Sequence, residues 1–332
     1  MEEELFRANR IIFPAPGQME QNFSDFSRHS GYDRFCDLVT GEWQLTYTMT
    51  RITGRMRALV CSEADNASVN IRDRLTELAD WKESGEFERR PVLANEDMLL
   101  ITIQQLHIHA EEIDAKIREE LEVDPEVVIF LSRHRAASGI PTLTVHPIGN
   151  HRGADFGGRE RTLVPASPHL MTSMLRVLKR EAADIDFEVS FEVTHHGPYL
   201  TTPSIFIEIG SDESMWGDRE AAKAIARTLL HVEEDENPVV IGLGGGHYAP
   251  RFTDVAVSRK VSMGHMVPTY AMKGAENEEL RAIIGRAVEA SNASKVYIHK
   301  KSMKRSEATS VRMLLTEMGL EIVESRDLEP QP

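Results

Sequence analysis

Cysteines and long apolar runs are both scarce in this sequence. The 332 residues include two cysteines, Cys36 and Cys61. Two distant thiols provide neither a disulfide framework nor a CxxC metal pair, so a cysteine-rich zinc site is excluded and a reducing cytoplasm is expected. No apolar run approaches the roughly 18 residues that a membrane span requires. Because the first residues are also acidic, we expect neither a membrane span nor a signal peptide.

Basic residues are outnumbered by acidic ones. Lys and Arg total 38 against 53 Asp and Glu, which gives a formal net charge of −15. This balance argues against broad attachment to nucleic acid, where neutralisation of phosphates supplies most of the affinity. One local exception is the segment 295–305, which carries five Lys or Arg and no acid. The segment is either a phosphate-binding site or a solvated connection between a strand and a helix.

Several well-known catalytic motifs are missing. The sequence contains no HExxH of helix-borne metalloproteases and no GxSxG nucleophile elbow. The glycine run that starts at Gly242 lacks the spacing of a dinucleotide loop, because His247 stands where the third glycine should be. Gly244, Gly245 and Gly246 could still offer backbone amides to a developing negative charge. The alternative is a tight turn after a strand.

Hydrophobic patterning predicts an α/β fold for most of the chain. Residues 1–55 show no sustained period of 2 or 3.6, so we expect a poorly patterned N-terminal extension followed by a single α/β domain over 56–332. Apolar runs and helical patterns alternate beyond residue 56, which predicts a mixed, largely parallel sheet flanked by helices. Strands are predicted over 57–61, 98–103, 127–131, 143–146, 189–195, 204–209, 239–243, 296–299 and 321–324. Helices are predicted over 68–81, 111–121, 169–183, 219–231, 278–290 and 307–318.

The histidines are unevenly distributed. Nine of the thirteen lie between His134 and His265, mostly beside Gly, Pro or Ser at the end of an apolar run. Imidazole is the commonest metal ligand and titrates near neutral pH, and α/β proteins build their sites at strand ends. A catalytic zinc needs about three N or O ligands and an open position. We predict a metal-dependent hydrolase whose ligands are His134, His195, His247 and Glu208, with His146 and His265 in reserve.

Two of these predictions leave alternatives open. His195 and His196 point to opposite faces if the strand stays extended, or both turn inward if Gly197 and Pro198 twist the chain. Glu208 lies in an apolar run, where a carboxylate is costly unless paired or bound to a cation. Its alternative partners are Arg133 and Arg135. Other histidines are expected to be structural or exposed: His107, His109, His169 and His231.

Long segments of the sequence resemble one enzyme family. The strings SRHRAASGIPTLTVHPIGN, THHGPYLTTPSIFIEIGS, GGGHYAPRFTD and MGHMVP, in this order, are similar to the archaeal and plant type of D-aminoacyl-tRNA deacylase. The resemblance runs from about residue 56 to the C-terminus. We recognise no counterpart of residues 1–55 in the family, and residues 80–96 look like a longer loop than is usual for it.

The resemblance implies an activity, a cofactor and a fold. The activity is hydrolysis of the ester that joins a D-amino acid to tRNA, the cofactor is zinc with two ions per chain, and the fold is likened to phosphorylases and peptidyl-tRNA hydrolases. We expect His196 to return a proton to the ribose oxygen and residues 244–246 to stabilise the oxyanion. The expected substrate-binding residues are Ser132, Tyr248, Arg251, Lys300 and Lys301, the last three on phosphates.

Two other functions fit parts of the sequence. One is a zinc-dependent peptidase or amidohydrolase that acts on small D-amino-acid derivatives without RNA. The other is a non-catalytic tRNA-binding module, which leaves the clustered histidines unexplained. For the deacylase we expect a cytoplasmic monomer with tRNA as its partner and no stable protein partner.

Overall fold

The structure is a computed structural model that describes residues 56–331 in full and the backbone of two strands before them. The chain divides into two units, Met1–Gly54 and Arg55–Pro332. In the first unit, β1 (Tyr32–Val39) pairs antiparallel with β2 (Glu42–Met49). The sequence pattern predicts no element there, and the rest of 1–55 lies outside the described residues. The interpretation of 1–55 as an extension stays a prediction.

The second unit contains a large mixed sheet and a small parallel one. The strands are β3 (Arg57–Ser62), β4 (Lys82–Phe87), β5 (Arg90–Asn95), β6 (Met98–Ile103), β7 (Val127–Arg133), β8 (Thr142–Pro147), β9 (Gly149–Asn150), β10 (Thr162–Leu163), β11 (Glu188–Phe191), β12 (Ser204–Gly210), β13 (Val239–Leu243), β14 (Ser262–Val267), β15 (Lys295–Ile298) and β16 (Glu321–Val323). The large sheet has the order β11-β8-β12-β7-β3-β6-β5-β4, and the small one β14-β13-β15-β16. The short strands β9 and β10 pair separately.

Parallel pairing dominates the centre of the large sheet. Strands β12, β7, β3 and β6 run parallel to one another, while β8 runs antiparallel to β12 and the β4–β5–β6 edge is antiparallel. Every strand of the small sheet is parallel to its neighbour. The central strands read as continuous apolar runs because both of their faces are buried.

Helices cover both faces of the large sheet. They are α1 (Asn66–Leu78), α2 (Ile113–Leu121), α3 (Pro168–Glu181), α4 (Glu213–Trp216), α5 (Arg219–His231), α6 (Pro250–Ser258), α7 (Thr269–Met272), α8 (Asn277–Ser291) and α9 (Arg305–Glu317). One core cluster joins α1, α3 and α5 to both sheets, and a second places α2 against the opposite face of the large sheet. Helix α3 contacts β8, β11 and β14, so the two sheets share a core. The predicted mixed, helix-flanked α/β fold is confirmed.

Several details differ from the pattern-based prediction, which also places no strand at β14 and no helix at α6. The strands divide between two sheets, which apolar periodicity alone cannot show. The stretch interpreted as a loop over 80–96 forms the hairpin β4–β5. Its turn uses Glu88 and Arg89 at φ 48° and 62°, a conformation usually marked by Gly or Asn, so the sequence carries no turn signal. The strand predicted over 189–195 ends at Phe191.

The described part of the chain contains no helix that is long and apolar enough to cross a bilayer.

Candidate active site

The segment after β11 connects the two sheets. Its Glu192 amide donates to the carbonyl of Val145 in the large sheet at 3.1 Å, whereas the Val193 amide donates to His247 at 3.0 Å and that of Thr194 to Met266 at 3.0 Å, both in or beside the small sheet. Side chains from both sheets therefore converge on this segment.

Glu192 lies at the centre of the converging side chains. Its carboxylate is fully buried and lies 3.1 Å from Nδ1 of His134, 3.3 Å from Nε2 of His195 and 3.2 Å from Nε2 of His247. His134 follows the end of β7, and His247 follows the glycine run after β13. The His247 side chain is 40% exposed, so the cluster is reachable from solvent.

Glu208 forms the second acidic centre. It lies on β12, opposite Ser132 of β7 and Thr144 of β8, and is 1% exposed. Its Oε2 lies 3.5 Å from Nδ1 of His134 and 3.7 Å from Nε2 of His146. The alternative of a salt bridge from Glu208 to an arginine is wrong. Two neighbouring arginines are engaged elsewhere: Arg133 over the ring of Trp216, and Arg135 with Glu213.

A second group of imidazoles lies beside these carboxylates. The ring of His146 is 4.4 Å from that of His195 and 5.1 Å from that of His196, and it stacks on Phe206 with the two planes 1° apart. His196 has φ 33° and Gly197 has φ 103°, so the strand does not stay extended. Both adjacent histidines therefore turn inward, as the twist alternative predicted, and the opposite-face alternative is wrong.

The cluster fits a metal ion. Several buried atoms have no hydrogen-bond partner: Nε2 of His134 and of His146, Nδ1 of His196, both carboxylate oxygens of Glu192 and Oε2 of Glu208. Buried polar atoms without partners are rare, and lone pairs that converge without bonding each other suit a cation. Within the described residues, ligand atoms lie within 4.8 Å of one another in three sets: His134, Glu192 and His247; His146, His195 and His196; and His146, Glu192 and Glu208.

Electrostatics divide the imidazoles into two kinds. Burial raises the pKa of Glu208, but its contacts with His134 and His146 outweigh burial and hold it well below its usual value. The same contacts raise the pKa of both imidazoles against the effect of burial. Burial, followed by neighbouring imidazole charges, lowers the pKa of His195 and brings that of His196 to about 3. His195 and His196 are therefore neutral, which is the form of imidazole that binds metals.

The glycine run lies close to the cluster, but two of its amides are engaged. The Gly244 amide donates to the carbonyl of Val267 at 2.8 Å, and that of Gly245 donates to Oγ1 of Thr269 at 3.1 Å. Of the three glycine amides, only that of Gly246 has no acceptor within the described residues. The expected three-amide oxyanion site is reduced to this one donor.

The expected substrate-binding residues lie in two places. Ser132 is buried and its hydroxyl donates to the carbonyl of Arg133, whereas the Tyr248 ring lies 5.5 Å from that of His134 and 5.7 Å from that of His247. The other three predicted residues, Arg251, Lys300 and Lys301, line one cleft of about 400 Å³ at the carboxyl edge of the small sheet. Further basic residues line the same cleft: His299, Arg312 and Arg326.

One carboxylate partly neutralises this basic cleft. Glu324 bonds to Lys300 at 2.5 Å and lies 3.8 Å from Arg312 and 3.4 Å from Arg326. Arg251 donates to Tyr297 and, at 2.9 Å, to Ser325. Lys301 has no hydrogen-bond or ion-pair partner among the described residues, so it is the cation in the cleft that is most available to a phosphate.

The structure thus brings all four predicted metal ligands together and adds three more residues. Glu192 was missed, His146 was held in reserve, and His196 was given a different role. The other reserve ligand, His265, lies outside the cluster: its Nδ1 is 3.0 Å from the Thr194 hydroxyl and its Nε2 is 2.9 Å from the Val164 carbonyl. The sequence signal for Glu192 was its position between Phe191 and Val193, since a carboxylate in an apolar run is costly to bury without partners.

Comparisons with known proteins identify the family of the chain. A family model described as D-aminoacyl-tRNA deacylase matches residues 121–323. The D-aminoacyl-tRNA deacylase of Methanococcoides burtonii is 37% identical over 84% of this chain, which spans 58% of that protein. That of Methanosarcina mazei is 34% identical, covering 81% of this chain and 92% of its own length. That of Pyrococcus furiosus is 36% identical, covering 81% and 99%.

One crystal structure also matches closely. It is described as a conserved protein of unknown function, is 34% identical, and superposes with a TM-score of 0.74 over 83% of this chain and 99% of its own. A family match over most of the chain, relatives above 30% identity and the same fold lead to one conclusion. The chain belongs to the D-aminoacyl-tRNA deacylase family.

Proposed function

We propose that the chain hydrolyses the ester bond of D-aminoacyl-tRNA at the histidine–carboxylate cluster and releases the free D-amino acid and tRNA. The observation that carries this proposal is the Glu192 carboxylate, which lies 3.1 to 3.3 Å from three imidazoles. The names of the relatives supply the substrate, and the convergence of ligand atoms supplies the means of hydrolysis.

Zinc is the cation that this ligand set suits best. The donors are imidazole nitrogens and carboxylate oxygens, which zinc accepts in hydrolytic sites, and the exposed side of His247 leaves access for water. When bound, zinc would lower the pKa of water toward about 7 and polarise an ester carbonyl. Two adjacent sets of ligands, one around Glu192 and His134 and one around His146, suit the two ions that the resemblance implies.

The surrounding residues orient the ligands. The Nδ1 of His195 lies 2.8 Å from the carbonyl of Val193, which fixes that nitrogen as the donor and leaves Nε2 free toward the cluster. His146 is held by stacking on Phe206 and by the carbonyl of Pro147 at 3.1 Å from its Nδ1. We propose that His196 is a ligand and not the proton donor, because its ring lies within the second imidazole set.

The nearby loop and cleft provide the remaining contacts. The free amide of Gly246 lies one residue before His247 and is the backbone donor proposed for the oxyanion. Tyr248 forms a wall beside His134 and His247. Lys301, Lys300 and Arg251 are proposed to neutralise tRNA phosphates in the basic cleft. Because tRNA charging occurs in the cytoplasm, we propose the same compartment, and a monomer as the working unit.

The decisive experiment incubates matched D- and L-aminoacyl-tRNAs with the protein before chelation, after chelation and after zinc add-back. We expect rapid release from the D-aminoacyl-tRNA, little from the L form, loss of activity on chelation and recovery with zinc. Full activity of metal-free protein would refute the zinc mechanism. No turnover of either tRNA by the zinc-loaded protein would refute the deacylase proposal.

A small-substrate assay separates the closest alternative. A zinc peptidase or amidohydrolase would cleave D-amino-acid amides or esters as fast as D-aminoacyl-tRNA. We expect much slower cleavage of such small esters, because they cannot contact the basic cleft. Equal rates would favour the amidohydrolase.

A further inference from the structure

A glycine-rich loop beside the cluster presents a large apolar side chain to solvent. Phe156 lies in the loop between β9 and β10, and its side chain is 64% exposed. The loop continues through Gly157 and Gly158, both at positive φ (84° and 79°). An exposed phenylalanine is not unusual by itself. The position and the rigid attachment of this one are what require an explanation.

The backbone that carries Phe156 is firmly held. The Phe156 carbonyl accepts a hydrogen bond from the amide of Gly197 at 3.2 Å, and that of Gly157 accepts one from the Asn150 side chain at 2.8 Å. The Gly158 amide donates to Glu111 at 2.6 Å. A Cβ on Gly157 would lie 2.1 Å from the carbonyl oxygen of Ile108, so the loop passes closer to its neighbour than any other residue type allows.

A second exposed aromatic side chain lies near the other half of the cluster. Tyr270 in α7 is 53% exposed and follows Thr269, whose amide donates to the carbonyl of Gly245 at 3.0 Å. Gly245 lies two residues before His247.

One arginine joins the two aromatic segments. Arg152, at the start of the Phe156 loop, donates to the carbonyls of Ala271 at 2.8 Å and Lys273 at 3.2 Å. Phe156 is linked to the cluster by the hydrogen bond from Gly197, which follows His196. Tyr270 is linked to it by the hydrogen bond from Thr269 to Gly245 in the glycine run. The two aromatic side chains are held by segments that contact each other and both sides of the cluster.

We propose that Phe156 and Tyr270 stack the unpaired bases at the 3′ end of the tRNA substrate. This inference rests on the proposed function. The ester bond is on the terminal ribose, so a site that reaches its carbonyl must also accommodate the base on the same ribose and the base before it. Exposed aromatic rings bind unpaired bases of any sequence by stacking, which suits an end shared by all tRNAs. Rigid attachment lowers the entropy lost on binding.

The kinetic test compares Phe156→Ala and Tyr270→Ala with the matched control Met313→Ala, which removes a side chain that is 62% exposed on α9. Substrates are D-tyrosyl-tRNA and D-alanyl-tRNA. We expect the two aromatic variants to raise KM about tenfold with either substrate and to leave kcat nearly unchanged. Phe156→Trp should restore the wild-type KM, and Met313→Ala should have no effect. A loss confined to D-tyrosyl-tRNA would mean that the rings contact the amino acid, and would overturn the proposal.

A binding test does not depend on catalysis. Fluorescence anisotropy measures the affinity of the zinc-loaded protein for an uncharged acceptor-stem RNA, which carries no ester to hydrolyse, and for the same RNA with its last two bases removed. We expect base removal to weaken binding to the wild type but to have a smaller effect on the double variant Phe156→Ala/Tyr270→Ala. Equal losses in both proteins would overturn the stacking proposal. A wild type that binds the RNA in this manner but hydrolyses no D-aminoacyl-tRNA would instead refute the proposed function.

Discussion

Glu192 Oε1 and His134 Nδ1 lie 3.1 Å apart, although one residue follows an edge strand of the large sheet and the other follows a central strand. The same carboxylate also contacts His195 and His247. It therefore holds together imidazoles from three separate segments, and its charge is central to any cation bound there.

Glu192→Gln should remove most of the activity and lower the zinc content. The amide keeps the shape but loses the negative charge that offsets the cation, so we expect turnover of D-aminoacyl-tRNA to fall about a hundredfold, the upper end of the range for loss of a metal ligand's partner. Single-turnover kinetics and metal analysis measure both effects. The control is Glu188→Gln, an exposed carboxylate on the same chain segment. Normal zinc content in Glu192→Gln would exclude Glu192 from the metal site.

Zinc should stabilise the protein against heat. A cation that binds only the folded state at a hundred times its Kd adds about 2.7 kcal/mol. We expect the Tm of chelated protein to rise by several degrees on zinc addition and to change little with magnesium, which prefers all-oxygen sites. His247→Ala should reduce the zinc-dependent rise and cut turnover about a hundredfold. If zinc raised the Tm of His247→Ala as much as that of the wild type, His247 would not be a zinc ligand.

Much of this site follows from local sequence patterns, and the rest does not. The convergence of His134, His195 and His247 follows from their positions after apolar runs, because strand ends meet at sheet edges. Glu192 could not be placed, since an extended strand would point it away from His195. Their 3.3 Å contact depends on the turn at His196 and on pairing with the small sheet. The hairpin at Glu88 was missed because its turn lacks the usual glycine.

RNA binding should depend on Lys301 and be limited by Glu324. Lys301→Ala removes one free cation, so the slope of log K against log salt should fall by about 0.7 for an unpaired strand. Glu324→Gln releases Lys300 and relieves Arg312 and Arg326, so we expect tighter binding. Titration of tRNA at several KCl concentrations measures both. An unchanged slope in Lys301→Ala would show that phosphates bind outside the cleft.

Acid should destabilise the fold partly through His265. Burial lowers its pKa from 6.5 to about 4, so the folded state holds the neutral ring while the unfolded state is protonated near pH 6.5. Its contribution to stability is present above the unfolded pKa and is lost as pH falls toward about 4. We expect about 2 kcal/mol less stability at pH 5 than at pH 7 from this group.

Denaturant unfolding of wild type and His265→Gln at both pH values isolates this effect. The glutamine does not titrate, so between pH 7 and pH 5 the variant should lose about 2 kcal/mol less stability than the wild type. Parallel losses in the two proteins would show that folding does not lower the pKa of His265.

The hydrogen bonds from residues 192–194 to both sheets also constrain the order of folding. Of the three sets of ligand atoms, only that of His134, Glu192 and His247 draws on both sheets, so a nascent chain that has formed only the large sheet lacks this set's third member. Docking of the last four strands supplies His247 and completes the set. A cation that needs all three side chains would then report that the C-terminal third of the chain has been synthesised and has docked.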